Sequence, residues 1–364
     1  MHHLLQIRIG HWAIACIFLL SLGSTAGAQS AEEQAKANGR IYLYQGADRD
    51  QKLINAAKQE GTVSIYTSMQ LPDSSALTQA FEKKYGIKTT LWRASGEKVV
   101  QRALVEARAA RHDVDVFETD GSQIEILYRE KQLAPFFSPS FKDIPPAVFP
   151  PHKHYAPTRL SLYVLAYNTK LIAPHEVPNS YADLLNPKWS GRLGVEGADV
   201  AWFAAVTKAM GEEQGLAYFR RLAAMNVAVR NGHTLIAELA AAGEIPIVLD
   251  AHIQGVERLK KRGAPIEWKA LPPAFGQPSA VALAERAPHP HAALLFADFI
   301  LSKEGQEIIK ARNRVPVSSA VDSPLNKFKY QLIDPVIVLD EWDKWSKLWS
   351  QLFLGGKEVK KEAD

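Results

Sequence analysis

The stretch IKTTLWRASGEKVVQRALVEARAARHDVDVF, residues 87–117, predicts a strand, a helix and a second strand in close succession. The strands are Ile87–Trp92 and Val114–Phe117. Between them, Glu97–Ala110 repeats apolar residues at intervals of three and four, which is typical of a helix with one buried face. Ser95 stands at the N-cap position of this helix. Such a βαβ unit predicts a mostly parallel sheet.

The same alternation continues on both sides of this unit. A strand at Thr62–Ser68 and a helix at Ser74–Tyr85 precede it, and Gly86 ends that helix as a C-cap glycine. Downstream, strands and helices alternate again from Arg159 to Asp250. The pattern therefore predicts an α/β protein with two such runs.

Two proline-rich stretches divide the chain. Residues 133–157 contain seven prolines and residues 265–278 contain four. Proline cannot sustain a helix or an inner strand, so both stretches are predicted boundaries. We predict a first lobe formed by residues 29–157 together with 276–364, and a second lobe formed by residues 158–275.

Residues 1–28 have the composition of a signal peptide. Arg8 is their only charged residue, and an apolar run from Trp12 to Leu20 follows it. The run is shorter than the roughly 20 residues that cross a bilayer. We predict cleavage near Ala28 and export to the periplasm. Because Cys16, the only cysteine, lies in this leader, the mature protein is expected to have no thiol chemistry.

Composition and motifs argue against several classes of function. The 43 Lys and Arg residues nearly balance 39 Asp and Glu residues, so nothing indicates a nucleic-acid partner. After residue 28 there is no G-x-S-x-G, H-E-x-x-H or G-x-x-x-x-G-K-[ST] motif, and no G-x-G-x-x-G follows a strand. We therefore predict neither an enzyme nor a resident cofactor, and a secreted enzyme on the same scaffold is the less favoured alternative. We expect a monomer, because no large apolar interface stripe is evident.

Polar residues gather where predicted strands end and helices begin. In open α/β sheets, ligands bind outside the carboxyl ends of the strands. Both lobes contribute such positions, and the cleft is the only space that both lobes share. We predict a ligand site made of Thr67, Ser68, Ser95, Gly96, Glu118, Thr119, Asp120, Glu196, Asp199, His233, Asp250 and His252.

Some of these residues allow two interpretations. The helix start at Ser95 and Gly96 offers a hydroxyl and free N–H groups to an anion, or Ser95 simply caps the helix. Asp250 and His252 stand two apart in an extended stretch, so their side chains point to the same side. This pair either binds a metal ion or an organic cation, or forms a structural hydrogen bond. His233 either joins the pair or is solvated.

An amphipathic helix is predicted near the C terminus. Trp342, Trp345, Leu348, Trp349 and Leu352 recur at intervals of three and four. Side chains of this size at helical spacing are typical of a buried face. We expect this face to pack as core against the first lobe.

An ordered set of segments resembles a known family. The segments are TVSIYTS (62–68), AFEKKYG (80–86), VDVFETD (114–120), YVLAYNT (163–169), YADLLNPKWSGRL (181–193) and FADFILSKEGQ (296–306). They resemble extracellular solute-binding proteins of ABC importers, especially the iron(III)-type branch. The resemblance implies a two-lobed type II periplasmic-binding fold with a hinge of crossing strands near Ala156–Val164 and Trp268–Ala280. It also implies an ABC permease in the inner membrane as the transient partner.

The resemblance leaves the ligand open. Ferric-binding members carry adjacent tyrosines just after the strand that matches Ile245–Leu249, whereas Asp250-Ala251-His252 follows here and the chain has no Tyr-Tyr pair. One option is a metal ion, including ferric iron with a synergistic anion, bound by Asp250 and His252. The other is a small organic anion such as a phosphorylated sugar, phosphonate or carboxylate. If a metal binds, its affinity is expected to collapse below about pH 6 as His252 protonates.

Overall fold

The computed structural model describes residues 32–323, 325, 327–357 and 359. The predicted signal peptide, residues 1–28, lies outside the described residues. None of the helices in the described ranges combines the length and the apolar composition that crossing a membrane requires.

Helices and strands alternate along most of the chain. The helices are α1 (32–42), α2 (Arg49–Glu60), α3 (Leu71–Tyr85), α4 (Gly96–Arg108), α5 (Gly121–Arg129), α6 (Val200–Ala209), α7 (Glu212–Ala223), α8 (His233–Ala242), α9 (Ile253–Lys261), α10 (Pro290–Leu301), α11 (Lys303–Ala311), α12 (Pro335–Leu339) and α13 (Trp342–Phe353). The strands are β1 (Thr62–Thr67), β2 (Lys88–Arg93), β3 (Val116–Asp120), β4 (Leu133–Ala134), β5 (Tyr155–Asn168), β6 (Leu193–Glu196), β7 (Ala228–Arg230), β8 (Ile247–His252), β9 (Ile266–Lys269), β10 (Ala274–Ala284), β11 (Val315–Pro316) and β12 (Tyr330–Leu332). The predicted βαβ unit is present as β2, α4 and β3.

One sheet path runs through the molecule in the order β2-β1-β3-β10-β5-β8-β6-β7. At one end, β1 pairs in parallel with β2 and β3, as the alternating pattern predicts. The helices α3 and α10 pack against this end through the edge-to-face rings of Phe81, Phe296 and Phe299. We call the body built on β1, β2 and β3 the first lobe.

At the other end of the path, β6 pairs in parallel with β7 and β8. A separate hydrophobic core lies here, and its largest buried side chains include Trp189, Trp202, Phe203 and Phe219. Helix α6 is almost entirely apolar because it is buried on several sides. We call the body built on β6, β7 and β8 the second lobe.

Two strands connect the lobes. The first half of β5 pairs with β10, while its second half, Tyr163–Asn168, pairs with β8 and β9. The strand β10 starts within the second proline-rich stretch and contains Pro278, which the strand prediction did not include. The pairing of β10 with β5 shifts register between Ser279 and Ala280. The crossing strands form the two-lobed type II arrangement, while the residue boundaries of the lobes stay a prediction.

The C-terminal helix packs differently from our expectation. Trp345 and Trp349 of α13 are fully buried in the core of the second lobe, where both contact the ring of Phe203. The indole Nε1 of Trp349 donates a hydrogen bond to the carbonyl oxygen of Gly197 at 2.8 Å. The expectation that this face packs against the first lobe is therefore wrong. An amphipathic pattern identifies a buried face but not the surface that covers it.

Candidate functional site

A cavity of about 340 Å³ lies between the lobes. The first lobe lines it with the starts of α4 and α5, and the second lobe lines it with the starts of α6, α8 and α9. The crossing strands contribute its floor. Its polar lining residues are Glu97, Gln101, Asp120, Ser122, Gln123, Ser161, Tyr163, Asp199, His233, His252 and Gln277.

Five helices begin at this cavity. The N-cap positions are Ser95 for α4, Asp120 for α5, Asp199 for α6, Gly232 for α8 and His252 for α9. Each helix start carries unpaired N–H groups and a partial positive charge, so it stabilises negative charge nearby. The converging starts therefore favour ionised carboxylates and bound anions in the same small space.

The start of α4 reaches the cavity because residue 96 is glycine. A Cβ atom there would lie 2.9 Å from Cγ of Gln123 and 3.0 Å from Oγ1 of Thr119. A larger residue at this position would have to displace the side chain of Gln123 or Thr119. Gly96 lines the cavity, whereas Ser95 is not among the residues that line it.

A compact group of possible cation ligands lies on the second-lobe side. Glu196, Asp199 and His233 each offer one ligand atom, and these atoms lie within 4.8 Å of one another. Nε2 of His233 is 3.4 Å from Oδ1 of Asp199. Both Glu196 and Asp199 are buried. Among the described residues, this is the group with metal-ligating geometry.

A second histidine completes the group. The rings of His233 and His252 stack with centroids 3.5 Å apart and an interplanar angle of 20°. Tyr163 packs against the ring of His252, and its hydroxyl lies 3.4 Å from Oδ1 of Asp199. Burial lowers the pKa of the His252 imidazole well below its ordinary value, and the neighbouring His233 and Arg314 act in the same direction. The imidazole of His252 is therefore neutral at neutral pH.

Asp250 lies behind the cavity. It is fully buried, and both of its carboxylate oxygens accept the backbone N–H of Glu196 at 3.0–3.1 Å. Burial raises its pKa well above the ordinary value, and the carboxylates of Asp199 and Glu196 raise it further. Of the predicted pair, His252 is among the residues that line the cavity and Asp250 is not. The predicted metal pair of Asp250 and His252 stays a prediction.

Glu196 has two backbone partners of its own. Its Oε2 accepts the N–H of Ala198 at 2.5 Å, and its Oε1 accepts the N–H of Gly232 at 2.9 Å. These bonds fix the loops that carry Asp199 and His233. Glu196 thus positions the group and also offers it a carboxylate oxygen.

Four of the predicted first-lobe residues are engaged in hydrogen bonds outside the cavity lining. Oγ1 of Thr67 donates to Oε2 of Glu118 at 2.8 Å, and Glu118 also accepts a hydrogen bond from the Arg159 guanidinium. Oγ1 of Thr119 donates to Oγ of Ser68 at 2.9 Å. Thr67, Ser68, Glu118 and Thr119 are not among the residues that line the cavity. Asp120 does line it, and accepts from Oγ of Ser279 at 2.7 Å.

Sequence reasoning missed the crossing-strand residues. Ser161 and Tyr163 come from β5 and Gln277 comes from β10, and all three line the cavity. Ser161 and Tyr163 lie inside an apolar strand pattern and Gln277 lies inside the second proline-rich stretch, so no strand-end signal marked them. Val338, Leu339 and Trp342, near the C terminus, line the cavity as well. Of these three, Trp342 belongs to the predicted amphipathic helix, and Val338 and Leu339 precede it.

Comparisons with known proteins agree with this geometry. Residues 120–347 match the family model of bacterial extracellular solute-binding proteins. The Fe(3+)-binding periplasmic protein of Serratia marcescens is 26% identical over 282 residues, covering 74% of this chain and 82% of the relative. A putative 2-aminoethylphosphonate-binding periplasmic protein of Salmonella typhimurium is 25% identical over 312 residues, covering 80% of this chain and 88% of the relative.

Solved structures share the fold. A Trichodesmium protein in complex with iron and citrate superposes with a TM-score of 0.70 at 22% identity, covering 82% of this chain and all of that one. The periplasmic binding protein AfuA from Actinobacillus pleuropneumoniae, with fructose-6-phosphate bound, gives a TM-score of 0.64 at 22% identity, covering 81% and 99%. The family model covers more than half of the chain, and the two-lobed fold matches. The chain therefore belongs to the family of bacterial extracellular solute-binding proteins.

Proposed function

We propose that the protein captures a metal ion together with a small anion in the interlobe cavity and delivers both to an ABC permease. The observation that carries this proposal is the group formed by Glu196, Asp199 and His233, two of which line the cavity. In this function the metal is cargo. The periplasmic relatives support the periplasm as the place of capture, and cleavage near Ala28 stays a prediction.

The donor atoms suit an intermediate or hard cation. Two carboxylates and one imidazole form a mixed oxygen and nitrogen set, which iron, manganese and zinc accept. The hydroxyl of Tyr163 lies beside Asp199 and adds a possible phenolate oxygen. Relatives described as ferric-iron binders make Fe(III) the first candidate. This set would replace the tyrosine pair that the chain lacks.

The first lobe would hold the anion. Among the described residues that line the cavity, none is Lys or Arg, and Asp120 and Asp199 both face it. A free anion would therefore meet carboxylates with no basic side chain to offset them. An anion that arrives with a cation avoids this repulsion, and the starts of α4 and α5 can bind its oxygens.

The alternative cargo is a small organic anion. A cavity of about 340 Å³ exceeds what a bare ion fills, and the relatives include proteins described as binding 2-aminoethylphosphonate and fructose-6-phosphate. For such a ligand, the helix starts would bind the phosphorus oxygens. An amine or hydroxyl on the ligand would donate to Asp199.

A thermal-shift panel tests the proposal. It contains ferric citrate, ferric phosphate, Mn²⁺ and Zn²⁺, and also citrate alone, fructose-6-phosphate and 2-aminoethylphosphonate. A ligand at 100 times its dissociation constant adds about 2.7 kcal/mol of stability, which is a readable shift. We expect a metal to stabilise the protein and a chelator to reverse the effect. If the organic anions alone stabilise the protein, and the chelator does not change this effect, the metal proposal is wrong and the organic anion is the cargo.

The neutral state of His252 predicts a pH dependence of stability. The unfolded imidazole takes up a proton below its ordinary pKa of 6.5, while the folded one does not, so stability falls as the pH falls. The loss attributable to His252 is about 1.4 kcal/mol per pH unit. Urea denaturation of the ligand-free protein between about pH 7 and about pH 5 measures it. His252→Gln should remove this slope, and His175→Gln, at an exposed histidine, should keep it.

Parallel stability curves for the parent protein and His252→Gln would contradict this prediction. The same lowered pKa moves the expected loss of metal affinity on protonation of His252 to a lower pH than its ordinary pKa implies.

A further inference from the structure

The C-terminal segment forms a third connection between the lobes. Phe328, Tyr330 and Leu332 pack against the first-lobe core. Directly afterwards, Ile333 and Ile337 belong to the second-lobe core, which also contains the tryptophans of α13. The chain therefore passes from one lobe to the other a third time. We call residues 330–342 the strap.

The strap lies over the ligand cavity. Its helix α12 packs against α5 of the first lobe and against α6 of the second lobe. Val338 and Leu339, together with Trp342 at the end of the strap, form an apolar part of the cavity lining. Because one wall of the cavity belongs to a segment that touches both lobes, separating the lobes must move this wall relative to at least one of them.

Charged contacts attach the end of the strap region to both lobes. Asp340 accepts two hydrogen bonds from the guanidinium of Arg129 on α5, at 2.6 and 3.0 Å. On the other side, Nζ of Lys208 on α6 lies 2.9 Å from Glu341. The attachment to the second lobe is also apolar, because α13 buries Trp345 and Trp349 there completely. The contact with α5 is therefore the weaker of the two.

We propose that the strap is a latch that moves with the second lobe and releases α5 when the cleft opens. The Arg129–Asp340 pair is the charged contact that breaks in this step. The side chains of Arg129 and Asp340 are 39% and 47% exposed, so the pair changes the ratio of open to closed molecules only about two- to fivefold. The strap thereby sets the fraction of open molecules, and with it the rate of ligand release. The inference does not depend on which cargo binds.

The test measures opening without a ligand. Dyes on Lys98→Cys in α4 and Glu238→Cys in α8 report the distance between the lobes by fluorescence energy transfer. Both positions are exposed, and Cys16→Ser removes the only native cysteine. We expect Asp340→Asn to raise the ratio of open to closed molecules about two- to fivefold. Asp340→Lys, which places a second cation beside Arg129, should raise it further.

The matched control is Asp343→Asn, which removes an exposed carboxylate three residues away. It should leave the distance distribution unchanged. Salt adds a second readout, because about 1 M NaCl screens exposed pairs and should open the parent protein but not Asp340→Asn. An unchanged distribution in Asp340→Lys, or an equal change in Asp343→Asn, would overturn the proposal. Neither result would affect the metal-binding proposal, which the panel tests separately.

Discussion

Asp199→Asn is expected to weaken binding of the cognate metal at least about 100-fold, because losses of 10- to 100-fold already follow when only an outer-shell partner is removed. The substitution keeps the shape of the side chain but removes its charge and one oxygen donor. Asp199 lies 3.4 Å from His233 and faces the cavity, whereas the nearby carboxylate of Glu196 is not among the lining residues. Titration calorimetry with the metal that gives the largest thermal shift measures the loss.

Two further variants make this test specific. His233→Ala should lose affinity to a similar degree, because the imidazole supplies the nitrogen donor. Glu238→Gln changes an exposed carboxylate of the same helix and should bind like the parent protein. Unchanged affinity in both Asp199→Asn and His233→Ala would remove this group from the site and refute the metal proposal at these residues.

Glu118→Gln is expected to lower the free energy of unfolding by about 3 to 5 kcal/mol without changing ligand affinity. The Glu118 side chain is 2% exposed and pairs with the Arg159 guanidinium, which is 12% exposed. Removing the negative charge leaves a largely buried cation without its counter-ion. Thr67 and Thr158 would also lose a charged acceptor. Chemical denaturation measures the loss.

Glu97→Gln provides the control, since Glu97 is exposed and lines the cavity edge. A surface change of this kind should stay within about 0.5 kcal/mol. If Glu118→Gln instead loses little stability and binds the ligand more weakly, Glu118 has a direct role in the site. The experiment therefore separates the structural role seen in the hydrogen bonds from the binding role predicted from the sequence.

The order of helices and strands could be predicted because each element carries its own local signal. Apolar spacing, Gly86 and the proline-rich stretches identify the βαβ units and the crossings. The sequence did not indicate that β10 continues through Pro278, because this part of the strand pairs with β5, which is distant in the sequence. It also could not place α13, because the partners of a buried face are set by the tertiary fold.

The candidate site was only partly predictable, for a related reason. The rule that ligands bind at strand ends found Asp120, Asp199, His233 and His252, which all line the cavity. The same rule also selected Glu118, whose side chain is buried in the core and accepts hydrogen bonds there. Alternation along a strand gives the side on which a residue lies but not its depth. Asp250 is fully buried, whereas His252, two residues later, lines the cavity.

The position of α13 has a consequence for the order in which the protein can fold. The second-lobe core contains Trp345 and Trp349, although the strands β6 to β9 and the helices α6 to α9 end by Lys269. A chain that emerges from its N terminus cannot complete this core until nearly its last residues appear. The apolar surface of α6 and α7 stays uncovered during this interval.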